Sequence, residues 1–526
     1  MKTDKKTDND FSAILKERGI FELAEKLSKK FSARGGSALG GKKIEIFLVG
    51  GAVRDIILGR PVKDIDILAR GVKITELEKE LKKLGEVNLV GKRFGVLKFL
   101  PKAMGLPRLD KIGARNDRKE IDIALPRTDF SFGTGVYRDF KVKYDPNLPV
   151  ESDLERRDFT INAMAYNIYN GRIVDPFGGM GDLKKKIIRA VGKPEARFKE
   201  DYSRMLRAIR FSMQLGFKIE TKTWEAIKKH IGHINDTIPP APSVTKGGKR
   251  EVAERKVPYE VIASEFLRSF NVAPVETVKK YLECGALAKL LPELLMMKKC
   301  SQPKEHHSEG DVLTHTLLAL ENINSKMFKK YFKEPVSLTT KVAILFHDVG
   351  KPPAKKKMDG RTVFYNHDKI GAELAGKILN RLKLSAPPEV GVNIDEIAWL
   401  IENHLLFFYA PPDKMKKTTV EKYLFHKNFS GTAHMQLFLA DAMATKPEKN
   451  ATDFTRFKAA YKLWKSLQGK QTQAPPKSFL DGNEIMKTLK IAPGPKVGEV
   501  LNLLREEQLQ GRIKDKKSAK KFISSI

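Results

Sequence analysis

The spacing of apolar and polar positions divides the chain into a strand-rich first part and a helical remainder. From Ile44 to about Asn170 the apolar residues come in short runs. IEIFLVGG and VKDIDILA read as strands, separated by the helix-like AVRDIILG, which stops at Gly59-Arg60-Pro61. KEIDIAL predicts another strand, and AMAYNIYNGRIVD predicts a hairpin around Asn170-Gly171. From about Asp182 the period becomes helical, in DLKKKIIRAV, EDYSRMLRAIRFSMQLG and TWEAIKKHI. The Pro/Gly/Lys-rich stretch 239–256 predicts a loop. Helical periodicity then resumes with EVIASEFLRSF and VETVKKYLECGALAKLLPELL and holds to about Arg505. Upstream, an amphipathic stretch from Ile14 to Phe31 runs into SARGGSALGGKK, a linker by composition, and the tail KDKKSAKK reads as a solvated charge run. The class is α+β, with expected divisions at 1–40, 41–180, 181–299, 300–450 and 451–526.

Composition adds a partner class. With 526 residues the chain is too long for one core at roughly 150 residues per domain. Its 98 Lys+Arg against 64 Asp+Glu leave a net charge of +34, which favours a polyanion through counterion release. Two cysteines, Cys284 and Cys300, cannot build a disulfide scaffold, in keeping with a reducing compartment. The start MKTDKKTDND has no apolar core of a signal peptide, and no run approaches about 18 apolar residues. A cytoplasmic protein without a membrane partner is expected. Oligomeric state is not legible.

The first chemical constellation begins at Gly50-Gly51, between a strand and a helix, with Arg54 and Asp55 one turn in. Glycines there let backbone N–H groups approach a phosphate. Thirteen residues past Gly51 stand Asp64 and Asp66, which on a strand share one face while Ile65 and Ile67 face the core. Two hard oxygen ligands suit Mg²⁺ carrying a triphosphate. Asp122, in KEIDIAL, is a third carboxylate that could help deprotonate an attacking hydroxyl, or else a solvent-facing strand residue.

LVGGAVRD with DIDI, then RRDFTINAMAYN, DPFGGMGDL and EDYSRMLRAIRF, resembles the class II tRNA nucleotidyltransferases, which include CCA-adding enzymes and bacterial poly(A) polymerases. Weaker similarity extends through GALAKLLPEL. The resemblance implies a polymerase-β-like nucleotidyltransferase head on an all-α neck and body. It also implies untemplated addition of CMP and AMP from CTP and ATP to a tRNA 3′ end with Mg²⁺. A poly(A) polymerase, or an enzyme adding only A or only CC, is the alternative. The residue chemistry agrees: Arg157 beside Arg156 can fork onto phosphates, and Asn162, near Asp158, can hydrogen-bond a ribose hydroxyl. Asp201 and Arg204, three apart on a predicted helix, either form a surface salt bridge or, as the resemblance implies, read the base of the incoming nucleotide. Arg207 is implied to join the nucleotide-binding set, and Asp175 with Gly178-Gly179 the hinge. The family's next basic motif does not lay onto the stretch from Ala241 to Phe266, because Glu254-Arg255 lies too far from the following helix.

The second constellation is His315, His347-Asp348, His367, His404 and Asp441. Four of the ten histidines stand here, and His347-Asp348 ends the apolar run VAILF. Imidazole with carboxylate suits Mn²⁺, Fe, Ni²⁺, Co²⁺ or Mg²⁺ rather than a thiolate zinc site. The set resembles the HD-domain phosphohydrolases over roughly 305–445, with two additional histidines of the kind that accompany a second metal. That implies an all-α HD domain with metal-dependent phosphoester hydrolysis.

Overall fold

The computed structural model describes residues 5–32, 44–89, 96–102, 120–131, 133–137, 140–237, 255–412, 415, 420, 423–426, 428–449, 451–468, 478–509 and 512–525. The predicted linker and most of the 239–256 loop lie outside the described residues. The chain forms two compact units, Met1–Lys289 and Leu290–Ile526.

The first unit opens with helices α1 (Lys5–Glu17) and α2 (Ile20–Ser32). Phe11 of α1 is fully buried and stacks on Tyr166 at 4.0 Å. The head follows as β1 (Glu45–Val49), α3 (Gly51–Ile57), β2 (Ile65–Arg70), α4 (Ile74–Leu84), β3 (Gly85–Leu89), β4 (Val96–Pro101) and β5 (Ile121–Ala124). Next come the hairpin β6 (Arg127–Ser131) and β7 (Phe140–Tyr144), then α5 (Val150–Glu155), β8 (Ala165–Asn167) and β9 (Ile173–Val174). The main sheet runs β3-β4-β5-β2-β1-β8-β9, and within it only β2 and β5 pair in parallel. Phe47, Val49, Leu68, Val150, Leu154, Ala163, Ala165 and Val191 form one cluster against it. A buried side chain such as Leu or Phe contributes about 1.5–3 kcal/mol, so this cluster anchors the strands that carry the first constellation.

The predicted helix DLKKKIIRAV is shorter than its pattern suggests. Helix α6 (Gly179–Lys185) ends at Lys186 in the left-handed conformation (φ 55°), and Ile187–Ile188 become β10, parallel to β11 (Lys218–Ile219). Helices α7 (Pro194–Glu200), α8 (Ser203–Leu215), α9 (Thr221–His230), α10 (Tyr259–Val272), α11 (Pro274–Glu283) and α12 (Ala286–Leu290) complete the body.

The second unit starts with α13 (Pro292–Lys298), α14 (Val312–Asn322), α15 (Lys326–Tyr331), α16 (Leu338–Phe346) and α17 (Lys351–Ala354). Here the expectation of unbroken helix fails. Lys356–Met358 and Arg361–Val363 form a two-stranded hairpin, β12 and β13, around Asp359-Gly360, both at positive φ. Helices α18 (His367–Arg381), α19 (Ile394–Asn403), α20 (Leu406–Tyr409), α21 (Gly431–Ala444) and α22 (Thr455–Gln468) follow. The last three helices, α23 (Gly482–Leu489), α24 (Pro495–Leu509) and α25 (Lys516–Ile523), share a core of Leu480, Ile485, Val497, Val500, Leu504, Ile513, Ala519 and Ile523. The tail read as a solvated charge run is therefore a helix. Asp515 and Ser518 form a capping box at its start, and Ala519 and Ile523, four apart, supply its buried face. Among the described residues no helix is long and apolar enough to cross a membrane.

Candidate functional sites

In the head, β1 delivers the chain to Gly50 at φ 74°, where its N–H donates to Met164 O at 3.3 Å. A Cβ at Gly50 would lie 2.6 Å from Arg157 Nη1 and 3.4 Å from Asp66 Oδ2. Glycine is needed here for its backbone angle and for the guanidinium packed against it. Asp66 stands opposite Asp122 in the parallel β2–β5 register, and Asp122 stands opposite Lys98 on β4. Asp64 lies one residue before β2 and is exposed. Burial raises the pKa of Asp66 most, with Asp122 and Asp64 adding to it and Arg157 opposing. Burial also raises that of Asp122, against Lys98. Neighbouring carboxylates that resist joint ionisation form a donor set suited to a cation, and all their ligand atoms are oxygen. The three do not converge within 4.8 Å in the way the second site's ligands do.

Around them runs a polar chain, buried at Arg54, Asn162 and Asp158. Arg54 grips Asp55 through Nε and Nη2, both at 2.9 Å, and donates Nη1–H to Asn162 Oδ1 at 2.7 Å. Asn162 Nδ2 donates to Asp158 Oδ1 at 3.0 Å, and Arg207 reaches Asp158 Oδ2 from Nε (2.9 Å) and Nη2 (2.7 Å). Burial alone would raise the Asp158 pKa, but Arg207 and Asn162 hold it far below the usual carboxylate range. Arg210 pairs with Glu265 of α10 at 2.5 Å, and its guanidinium lies 4.1 Å from the Phe211 ring. Arg156 and Arg157 both lean on Asp153, whose side chain is 0% exposed, at 2.6 and 3.2 Å. Sequence reasoning missed Asp153, Lys98 and Glu265. Asp153 was legible as an acid three and four residues before the arginines, whereas Lys98 needs strand register and Glu265 needs tertiary packing.

Asp201 and Arg204 depart from the predicted geometry. Asp201 is no helical residue: it sits at the turn between α7 and α8 (φ −159°), where its Oδ1 accepts Ser203 N–H at 2.8 Å. Arg204 pairs with Glu200 at 2.5 Å rather than with Asp201, and also donates to the carbonyls of Arg197 and Arg156. The i,i+3 reading assumed one continuous helix, and the turn at Asp201-Tyr202 breaks it. Asp175 accepts the Gly179 and Met180 N–H groups at 2.7 and 2.9 Å, capping α6.

The second site gathers the whole His/Asp series. His315, His347 and Asp441 bring ligand atoms within 4.8 Å of one another, as do Asp348, His367 and His404. Asp348 lies between the two trios: Oδ2 is 3.4 Å from His347 Nε2, and Oδ1 is 3.5 Å from His367 Nε2 and 3.9 Å from His404 Nε2. His347, His367 and His404 each donate Nδ1–H to the carbonyl three residues back, at 2.8, 2.7 and 2.6 Å. A carbonyl only accepts, so each Nδ1 carries a proton and Nε2, facing the centre, is the atom left for a metal ion, which would displace any proton held there. Among the described residues, buried His347 Nε2 and His367 Nε2 find no hydrogen-bond partner, as metal-ligand atoms would be left by the protein alone. Burial disfavours charge on His347, yet Asp348 and Asp441 push its pKa up to about 10. His307 and Glu309, also absent from the sequence reading, form a third trio with His315. Lys351 lies 2.7 Å from Asp348 Oδ2 and donates to Gln302 Oε1 at 2.8 Å; its place three residues after Asp348 was the signal for it.

Residues 46–189 match the Poly A polymerase head domain family, and residues 312–426 match the HD domain family. Asp441 lies beyond the second match. An A-adding tRNA nucleotidyltransferase of Deinococcus radiodurans is 32% identical over 391 residues, covering 74% of this chain and 81% of its own length. A multifunctional CCA protein of Nitrosomonas europaea is 32% identical over 343 residues, covering 65% and 70%. The fold is shared with the CCA-adding enzyme of Bacillus stearothermophilus solved with CTP, at TM-score 0.57 and 19% identity over 96% of this chain and 97% of that one. The Thermotoga maritima CCA-adding enzyme solved with tRNA gives TM-score 0.55 and 19% identity, covering 98% of both chains. The architecture is thus a metal-dependent nucleotidyltransferase head on a helical body, joined to an HD domain. The chain belongs to the tRNA nucleotidyltransferase family.

Proposed function

We propose that this chain extends tRNA 3′ ends by untemplated addition of CMP and AMP from CTP and ATP, with release of pyrophosphate. The Asp66–Asp122 cross-strand pair beside the Gly50 turn carries this reading most directly. Asp64 and Asp66 would hold Mg²⁺, favoured by their all-oxygen donors, and Asp122 would take the proton of the attacking 3′-hydroxyl. When bound, such an ion supplies positive charge opposite the triphosphate. Gly51, opening α3, would offer backbone to phosphate oxygens, and Arg157, packed against Gly50, would supply charge for them. The chain Asp55–Arg54–Asn162–Asp158–Arg207 fixes the floor on which the sugar and phosphates would rest. Asp201 and Arg204, at the start of α8, would read the base edge. The +34 charge suits tRNA, and the reduced cysteines suit the cytoplasm.

A narrower activity, addition of A alone, is favoured by the Deinococcus radiodurans relative, which aligns over more of the chain than the Nitrosomonas europaea protein. The test supplies tRNA ending at the discriminator base, or ending in CC, with CTP alone, ATP alone or both, and sequences the products. CCA on the first substrate supports full synthesis. A single A on the CC-ended substrate alone supports the narrower activity. Long A runs indicate a poly(A) polymerase, and no addition overturns every version.

The second site we read as a phosphohydrolase centre for a transition metal such as Mn²⁺, Ni²⁺ or Co²⁺, because imidazoles dominate its donors. Hydrolysis of 2′,3′-cyclic nucleotides or 2′-phosphates that rises with these ions is the expected result. No hydrolysis and no bound transition metal would reduce this half to a scaffold.

A further inference from the structure

We infer that Glu309 is a positioning residue of the second site and makes its His315/His347/Asp441 half the tighter of the two metal-binding halves. The inference rests on reading the cage as a metal centre. Three cage histidines brace Nδ1–H on a neutral backbone carbonyl, whereas His315 Nδ1 meets the Glu309 carboxylate, 2.7 Å away at Oε1. A hydrogen bond to a charged acceptor is roughly twice as strong as one between neutral groups. It also draws the ring toward imidazolate character, so His315 Nε2 becomes the better electron-pair donor.

The carboxylate is itself firmly held. Its side chain is 1% exposed, and Oε1 also meets His307 Nδ1 at 2.8 Å. Oε2 accepts the Lys446 backbone N–H at 3.0 Å, while Ser308 N–H donates to Lys446 O at 2.8 Å. Lys446 follows α21, the helix that carries Asp441. One carboxylate therefore joins the segment before α14 to the end of α21 and sets His315 and Asp441 relative to each other, 2.9 Å apart. In the other half, among the described residues, His367 and His404 rest on the neutral carbonyls of Phe364 and Ile401 through Nδ1.

The test titrates metal-stripped, full-length protein with Co²⁺, reading heat and visible absorption. Glu309→Gln keeps the shape and an acceptor oxygen but removes the charge. The tighter class of sites should weaken roughly 10- to 100-fold, with a changed Co²⁺ spectrum and an unmoved weaker class. The same substitution is then placed in two backgrounds. With His404→Gln the loss should persist, because the affected half is intact. With His347→Gln it should vanish. Unchanged affinity in the first background, or equal weakening in both, overturns the inference; the latter is what a merely loosened fold would give. Wild-type protein that binds no Co²⁺ overturns the metal-centre reading itself.

Discussion

The two candidate sites, each proposed to hold a cation against phosphate, have opposite constructions. The head presents two half-buried carboxylates on strands and an exposed one just before β2, with cationic side chains nearby. The second site is a cage of six buried ligands from helix ends and helix interiors, most with a second atom already braced by the protein. A half-open oxygen site suits an ion that arrives with its nucleotide and leaves with pyrophosphate. A closed imidazole cage suits a resident ion. Preorganisation, rather than ligand number, is what separates them.

The sharpest way to break this contrast is at Asp66, the carboxylate that stands opposite Asp122 in the strand register. Asp66→Asn should lower nucleotide addition by roughly 10³-fold or more while tRNA binding in a filter assay stays near wild type. Equal loss of both would mean a folding defect instead. The cage is expected to fail separately: His347→Ala with Asp348→Ala should remove phosphoester hydrolysis and leave Mg²⁺-dependent addition in place. Chelation should tell the same story, with addition stopping on mixing with EDTA and hydrolysis decaying slowly as the buried ion escapes.

A third measurement concerns stability. The Asp153 pKa is lowered: burial opposes its charge, but Arg156 and Arg157 outweigh that cost. Its contribution is therefore present above the unfolded carboxylate pKa, near 3.9, and is lost as pH falls through the lower folded value. Asp153→Ala, leaving two guanidiniums without their shared counter-charge, should cost about 3 kcal/mol at pH 7 in denaturant unfolding. The difference from wild type should shrink in acid. The smallest effect is expected at Arg204. Arg204→Ala should relax discrimination of CTP and ATP against GTP and UTP by roughly tenfold. A drop in turnover with the preference pattern intact would make the residue a partner of Glu200 and nothing more.

How legible each site was follows from the range of its contacts. The head strands and the Gly50 turn were readable because alternation and glycine placement are local signals, and the His/Asp series because its residue types are scarce. Lys98, Glu265 and Glu309 were not readable, since each is one common charge among many and meets its partner only through register or tertiary packing. Asp201 misled because its spacing fitted a helix that a single turn interrupts. The β12–β13 hairpin was readable in principle, as Asp359-Gly360 between short runs is a strong turn signal. At the tail, lysines hid an apolar pair four residues apart.

His347 and His404 are the residues that close the C-terminal ends of α16 and α19. Peptide dipoles summed along a helix leave about half a negative charge at that end. Two such poles thus meet at the cage, and their field acts whether or not any ligand is in contact. It draws a cation inward and pushes a phosphate oxygen away until that cation has arrived. Loading should accordingly be ordered, ion before substrate, and free phosphate should bind the metal-loaded cage far better than the bare one.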